Sequence, residues 1–193
     1  MAILKIARMG HPVLATPAER VADPKSPEIR RLVKDMVETM IDANGAGLAA
    51  PQVHVPLAVV VFQAPEGRAD PGLTEAERFD HTAPQTVLIN PQIEVLSPEI
   101  EGGWEGCLSV PGLRGWVERP AHIRYRGVGL DGETIERVAR GFHARVVQHE
   151  CDHLDGILYP QRMDDLAELG FVEEMRRRAE SKRAAEQIQE TSK

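Results

Sequence analysis

His149-Glu150-Cys151-Asp152-His153 is the stretch of this chain best suited to chemistry. On a helix, residues four apart lie about 40° from one another around the axis and one turn apart along it. Both imidazoles can then reach one cation. Glu150 is offset by about 100° from His149. It stands beside such a cation rather than on it, where a general base for an activated water belongs. The competing picture is a solvated helix with two surface histidines and a salt-bridging glutamate. Phe142 and Val146 argue against it: they lie seven and three residues before His149, on the same side. The histidines continue an apolar face, and two imidazoles buried there without partners would be costly. Ligation is the better account.

A hydrolytic site takes three protein ligands and keeps one position open. Cys151 is about 200° from His149 on the helix and reads as a packed thiol. Cys107 sits in Gly106-Cys107-Leu108-Ser109, where a loop or strand edge can present it. Glu173, twenty residues after His153, has the spacing used by glutamate-ligated zinc proteases. Its surroundings read as an ordinary amphipathic helix surface, and it ranks behind Cys107. These two cysteines are the only ones in 193 residues, too few for a disulfide scaffold. A ligand thiolate and an inert thiol in a reducing compartment fit that usage.

The elements that must position these groups are partly legible. Ile29, Leu32, Val33, Met36, Val37, Met40 and Ile41 form one apolar stripe at the helical period. Ser26 suits the N-cap, Pro27 the first turn and Glu28 the positive end of the dipole, and Asn44-Gly45 ends the helix. Leu57 to Phe62 reads as a buried strand. Residues 63–85, with five prolines and glycines among many charges, read as a long surface loop. Short strands are expected at Thr86–Asn90 and Ile93–Leu96, either side of Pro91. A further strand at His122–Arg126 precedes a hairpin turn at Leu130-Asp131-Gly132-Glu133, with Thr134–Val138 returning. Residues 140–155 carry the histidine helix, stopped at Gly156, and Leu166–Lys182 reads as a last helix with a basic end. Helices mixed with mostly antiparallel strands indicate an α+β domain.

Composition narrows the function classes. Thirty acidic against 23 basic side chains leave a formal net charge of −7, which argues against a dedicated nucleic-acid binder, DNA included. The longest apolar run is six residues, Leu57 to Phe62, far short of a membrane span. The start, Met1-Ala2-Ile3-Leu4-Lys5, lacks the pattern of a secretion signal. A cytoplasmic enzyme is the expectation.

Three separated segments resemble one family. Gly45-Ala46-Gly47-Leu48-Ala49-Ala50-Pro51-Gln52, Glu105-Gly106-Cys107-Leu108-Ser109 and Gln148-His149-Glu150-Cys151-Asp152-His153 occur in the order and spacing of peptide deformylases. The resemblance covers about residues 1–165, expected to be the catalytic domain, with residues 166–193 a C-terminal helix and tail. It implies antiparallel sheets packed around a central helix bearing the histidines. It implies removal of the formyl group from N-formylmethionyl nascent peptides, releasing formate. It implies a ferrous ion in the cell, readily replaced by zinc, nickel or cobalt in purified protein. By motif position Cys107, His149 and His153 are the ligands and Glu150 is the catalytic acid–base. Gln52 and the backbone N–H of Leu108 are the oxyanion donors, and Gly47 belongs to the substrate-binding loop. Phe142, Val146 and Arg114 line the methionine pocket. Asn44 stands where many relatives carry an acidic residue that can pair with that arginine. In some relatives the basic C-terminal helix touches ribosomal RNA, so a transient ribosome contact is a further expectation here.

The chemistry suits these residue types independently of the resemblance. A divalent cation lowers the pKa of a water it holds from about 16 to about 7. Two neutral imidazoles and one thiolate leave such a site one unit positive. The glycine-containing segment is no phosphate loop, since it follows a helix and lacks Lys-Ser/Thr. Its small residues let backbone approach a peptide closely.

Overall fold

The computed structural model describes residues 2–191, with side chains described through Ser181. The first long helix, α1 (Pro27–Asp42), forms as the stripe dictates. Ser26 Oγ accepts the N–H of Ile29 at 3.3 Å, and Pro27 occupies the first turn. Beyond Ala43 the chain turns through Asn44 in the left-handed region, φ 54°, and Gly45 N–H donates to Met40 O at 2.8 Å.

Five antiparallel strands make the main sheet: β1 (Gly47–Ala49), β2 (Val59–Ala64), β3 (Ala83–Val95), β6 (His122–Val128) and β7 (Thr134–Arg140), in the order β1-β2-β3-β6-β7. The valine-rich β2 is buried on both faces, which explains its unbroken apolar run. Val59 and Val61 face α1, with Met36, Met40, Leu48 and Ile89. Val60 and Phe62 face the opposite layer, with Ile123, Tyr125, Val146 and Val147. That layer is the histidine helix α3 (Gly141–Leu154). Burying each such aliphatic side chain contributes about 1.5–3 kcal/mol, and the helix is thereby fixed against the sheet.

A second antiparallel sheet joins β4 (Ile100–Cys107), β5 (Val110–Pro120) and β8 (Gly170–Phe171). The β4–β5 connection is the two residues Leu108 and Ser109, with Cys107 paired to Val110. The periodicity of the chain did not reveal this hairpin. Gly102 and Gly103 blur the alternation, and both lie where a neighbour takes the Cβ space. A Cβ on Gly102 would stand 2.6 Å from the Trp116 indole nitrogen, and one on Gly103 2.8 Å from Arg145 Cζ.

Three expectations need correction. The two short strands around Pro91 are one strand, β3, kinked by a register shift between Ile89 and Gln92. Asn90 takes φ 53° there, and its amide group exchanges two 2.9 Å hydrogen bonds with the backbone of Val21. Residues 63–85 are not simply loop. They include a 3-10 turn at Glu66–Arg68 and the helix α2 (Glu75–His81), which starts at a capping box between Thr74 and Glu77. The last helix, α4 (Val172–Thr191), begins later than Leu166: a 3-10 turn at Leu166–Glu168 and then β8 come first. Of its basic residues, the side chains of Lys182 and Arg183 lie outside the described residues.

Candidate metal centre and active site

The hairpin connecting β4 to β5 brings Cys107 to the two histidines of α3. One ligand atom from each of Cys107, His149 and His153 lies within 4.8 Å of the other two. Cys107 Sγ is 3.3 Å from His153 Nε2, and the two rings stand nearly perpendicular with centroids 5.1 Å apart. Both histidines are buried. Glu173 is exposed and outside this group, so the competing third ligand falls away. Cys151 packs against the core on the far side, and burial pushes its thiol well above the ordinary range.

The donor set fits a divalent transition metal: one soft thiolate and two imidazoles, with room for further ligands on the cavity side. His149 Nδ1 donates to Glu105 Oε2 at 2.8 Å. That bond leaves Nε2 free to ligate, the arrangement by which a carboxylate orients a metal-binding imidazole. Burial opposes a charge on His149, but hydrogen bonds to Cys107 and Glu105 outweigh it and raise its pKa well above 6.5. A cation at Nε2 competes with that proton. Burial keeps His153 neutral.

Glu105 was not singled out from the sequence, although it lies inside the Cys107 motif. It is the hub of a buried ion network. Arg119 donates to both of its oxygens, at 2.6 and 2.9 Å, and Arg145 donates to Oε1 at 2.8 Å. Arg119 also reaches Asp152 at 2.8 Å, and Asp152 is held in turn by Arg162 at 2.7 Å. Burial alone would raise the pKa of Glu105, but the hydrogen bonds from Arg119 and His149 prevail and hold it well below the usual carboxylate range. The signal available in the sequence was a glutamate two residues before a ligand cysteine.

Glu150 is 3% exposed, and its Oε2 has no hydrogen-bonding partner among the described residues. Burial pushes its pKa up to about 7, against the pull of His149. Gly47 abuts this carboxyl: a Cβ there would stand 2.5 Å from Glu150 Cδ, so only glycine leaves the group its place. Gln52, in a 3-10 turn after β1, is equally buried. Its Oε1 accepts the Ala49 N–H at 2.9 Å, while Nε2 donates to Ser109 Oγ at 3.1 Å and lies 3.4 Å from Cys107 Sγ. Nε2 thus donates to both, with the longer bond running to the sulfur. The N–H of Leu108 is not taken up by any turn hydrogen bond among the described residues.

These groups line one cavity of about 460 Å³. Its wall includes Gly47, Gln52, Cys107, Leu108, Arg114, Phe142, Val146, His149 and Glu150. The structure thus brings these residues around one space, beside His153, while Glu173 and Cys151 lie elsewhere. It adds Arg68, Trp104 and Arg145, which sequence patterning did not reveal. A thiolate, two imidazoles and an unpaired buried carboxyl facing an open cleft define a metal-dependent hydrolase.

The polypeptide deformylase family matches residues 3–168. Peptide deformylase 1 of Bordetella pertussis is 52% identical over 170 residues, covering 87% of this chain and 92% of that protein. The crystal structure of peptide deformylase from Ehrlichia chaffeensis superposes with a TM-score of 0.78 at 32% identity, covering 86% of this chain and 91% of that one. A Met-Ala-Ser-bound class I type b peptide deformylase from Acinetobacter baumannii gives 0.72 at 37% identity, covering 84% and 99%. The chain belongs to the polypeptide deformylase family.

Proposed function

We propose that this chain removes the formyl group from N-formylmethionyl peptides, leaving a free amino terminus and formate. What supports this above all is the convergence of Cys107, His149 and His153 beside the unpaired carboxyl of Glu150, at a cavity of about 460 Å³. Cys107, His149 and His153 would hold a divalent cation, which would supply Lewis acidity and lower the pKa of an attacking water towards neutrality. We infer ferrous iron in the cell, with zinc, nickel or cobalt as replacements.

The chain's own groups do the rest. Glu150, poised near pH 7, takes the proton of the attacking water and returns it to the nitrogen of the breaking formyl C–N bond. Gln52 Nε2, turning its proton from the Cys107 sulfur, and the N–H of Leu108 donate to the formyl oxygen as it becomes anionic. Losing one such donor costs about 3–4 kcal/mol of transition-state stabilisation. Val146 and Phe142 offer the methionine side chain an apolar wall, and Gly47 lets peptide backbone approach β1.

The test is formate release from formyl-Met-Ala-Ser by nickel- or iron-loaded protein, with metal content measured in parallel. Cys107→Ala is expected to lose both metal and activity. A full metal complement in that variant overturns the ligand set. Internal peptide cleavage without formate overturns the function.

We infer that the enzyme works in the cytoplasm on nascent chains; no helix among the described residues is long and apolar enough to cross a membrane. A transient ribosome contact through the basic face of α4 is proposed with it. Arg176 and Arg177 are exposed but pair with Glu180 and Glu174 of the same helix, which leaves Arg178 the stronger candidate. Reversing the charge of all three arginines should abolish co-sedimentation with ribosomes and spare formate release. Unchanged co-sedimentation removes this contact.

A further inference from the structure

We propose that Arg68 forms a cationic subsite at the cleft that favours substrates carrying a carboxylate downstream of the formylmethionine. The inference rests on the deformylase function proposed above. Arg68 comes from the segment between β2 and β3, which the sequence presents only as a polar connection. In the fold this segment is tied to the start of α3. Asp80 O lies 2.8 Å from Nδ1 of the buried His143, whose Nε2 is 3.1 Å from Tyr125 Oη. Arg137 donates to the carbonyls of Phe79 and Thr82, and its guanidinium covers the Phe79 ring at 4.3 Å. So anchored, the segment delivers Arg68 to the cleft. Its guanidinium lies over the ring of Phe142, 4.4 Å from the centroid, and both line the cavity.

The chemistry of this placement is specific. Stacking on the ring uses one face of the guanidinium and leaves the N–H donors along its edges. Those edges match a carboxylate with two parallel hydrogen bonds. Among the described residues the Arg68 side chain makes no hydrogen bond or ion pair, and neither does that of Arg114. No lining carboxylate is free to satisfy them. Glu105 is committed to Arg119, Arg145 and His149, and Glu150 is buried at the base. Asn44, in the same lining, is neutral. An overall acidic chain therefore presents a locally cationic mouth. A formylated peptide has no amino-terminal charge to be repelled there, and the acidic group of a following residue, or the carboxyl terminus of a short peptide, is the anion that fits.

The two sources are separated with paired peptides. One pair is formyl-Met-Glu-Ser-amide against formyl-Met-Gln-Ser-amide, with a second pair placing the same change one residue later. The other is formyl-Met-Ala-Ser as free acid against amide. At low salt at least one carboxylate member should exceed its neutral partner about two- to fivefold in kcat/KM, mainly through KM. The advantage should shrink at about 0.5 M salt. Arg68→Ala should bring the ratio close to one, Arg68→Glu should invert it, and Arg68→Lys should retain most of it. Advantage in the Glu/Gln pairs alone assigns the subsite to side chains; advantage in the acid/amide pair alone assigns it to chain ends. Ratios of one throughout in the parent enzyme, or ratios untouched by Arg68→Ala and Arg68→Glu, overturn the proposal. Formate release from the neutral peptides is read separately: its presence keeps the deformylase function even when the subsite fails, and its absence from every peptide removes that function instead.

Discussion

At the scale of single residues, the site separates groups that hold a cation from groups that move a proton. Glu150 is buried, unpaired and poised near neutrality, while Glu105, also buried, is locked as an anion by arginines. Glu150→Gln keeps the shape and removes the proton acceptor. It should retain metal and the native melting temperature while kcat falls by about 10²–10⁴, read by formate release alongside metal analysis. Gly47→Ala tests the packing of the same group. The added methyl collides with the carboxyl, so kcat should fall at least tenfold, about 1.4 kcal/mol of barrier, with the fold kept. Gln52→Ala should behave differently again, since it removes an oxyanion donor and also strands the Ala49 N–H and the Ser109 hydroxyl. Loss of both kcat and stability is expected, measured by turnover and thermal unfolding.

At the scale of elements, α3 is coupled to the second sheet through charge rather than apolar packing. Arg145 bonds Glu105, the carbonyl of Val117 and the carbonyl of Glu101, so one side chain ties α3 to both β4 and β5. Breaking one partner of such a buried network leaves uncompensated charge and costs about 3–5 kcal/mol. Glu105→Gln should lower the melting temperature markedly and weaken metal affinity about 10- to 100-fold by freeing the His149 ring. Calorimetry and competition with a chelator check the two effects separately. An unchanged metal affinity would show that the ring is held by its packing against Tyr159 rather than by the carboxylate.

For the molecule as a whole, two buried groups pull stability in opposite directions on mild acidification: Glu150, raised to about 7, takes up its proton more readily in the folded chain and adds stability as the pH falls towards 4.5, while His143 removes it. Burial lowers the pKa of His143 to about 4 from 6.5. The unfolded chain therefore takes up a proton between those values that the folded chain refuses. Its stabilising contribution is complete above pH 6.5 and is lost as the pH drops towards 4, a span worth on the order of 3 kcal/mol. Glu105, held below the usual range, adds a loss in the same direction at lower pH. Thermal unfolding at pH 7.5 and 4.5 should show His143→Gln gaining stability at the acid end relative to the parent chain. Parallel curves would refute the assignment of this proton to His143.

Local regularities in the chain determined a good deal. The spacing of His149 and His153, the apolar residues before them and the capped stripe of α1 follow from helical geometry, which neighbouring residues enforce on one another. The setting of Cys107 made it a candidate and the resemblance across three motifs made it the ligand, since no local rule could tie it to histidines more than forty residues away. Tertiary structure alone decided the partners of Glu105 and the anchoring of the segment before β3. It also placed Arg68 at the cleft. Those are contacts between residues far apart in the chain, where charge and packing are settled by which surfaces meet rather than by any period in the sequence.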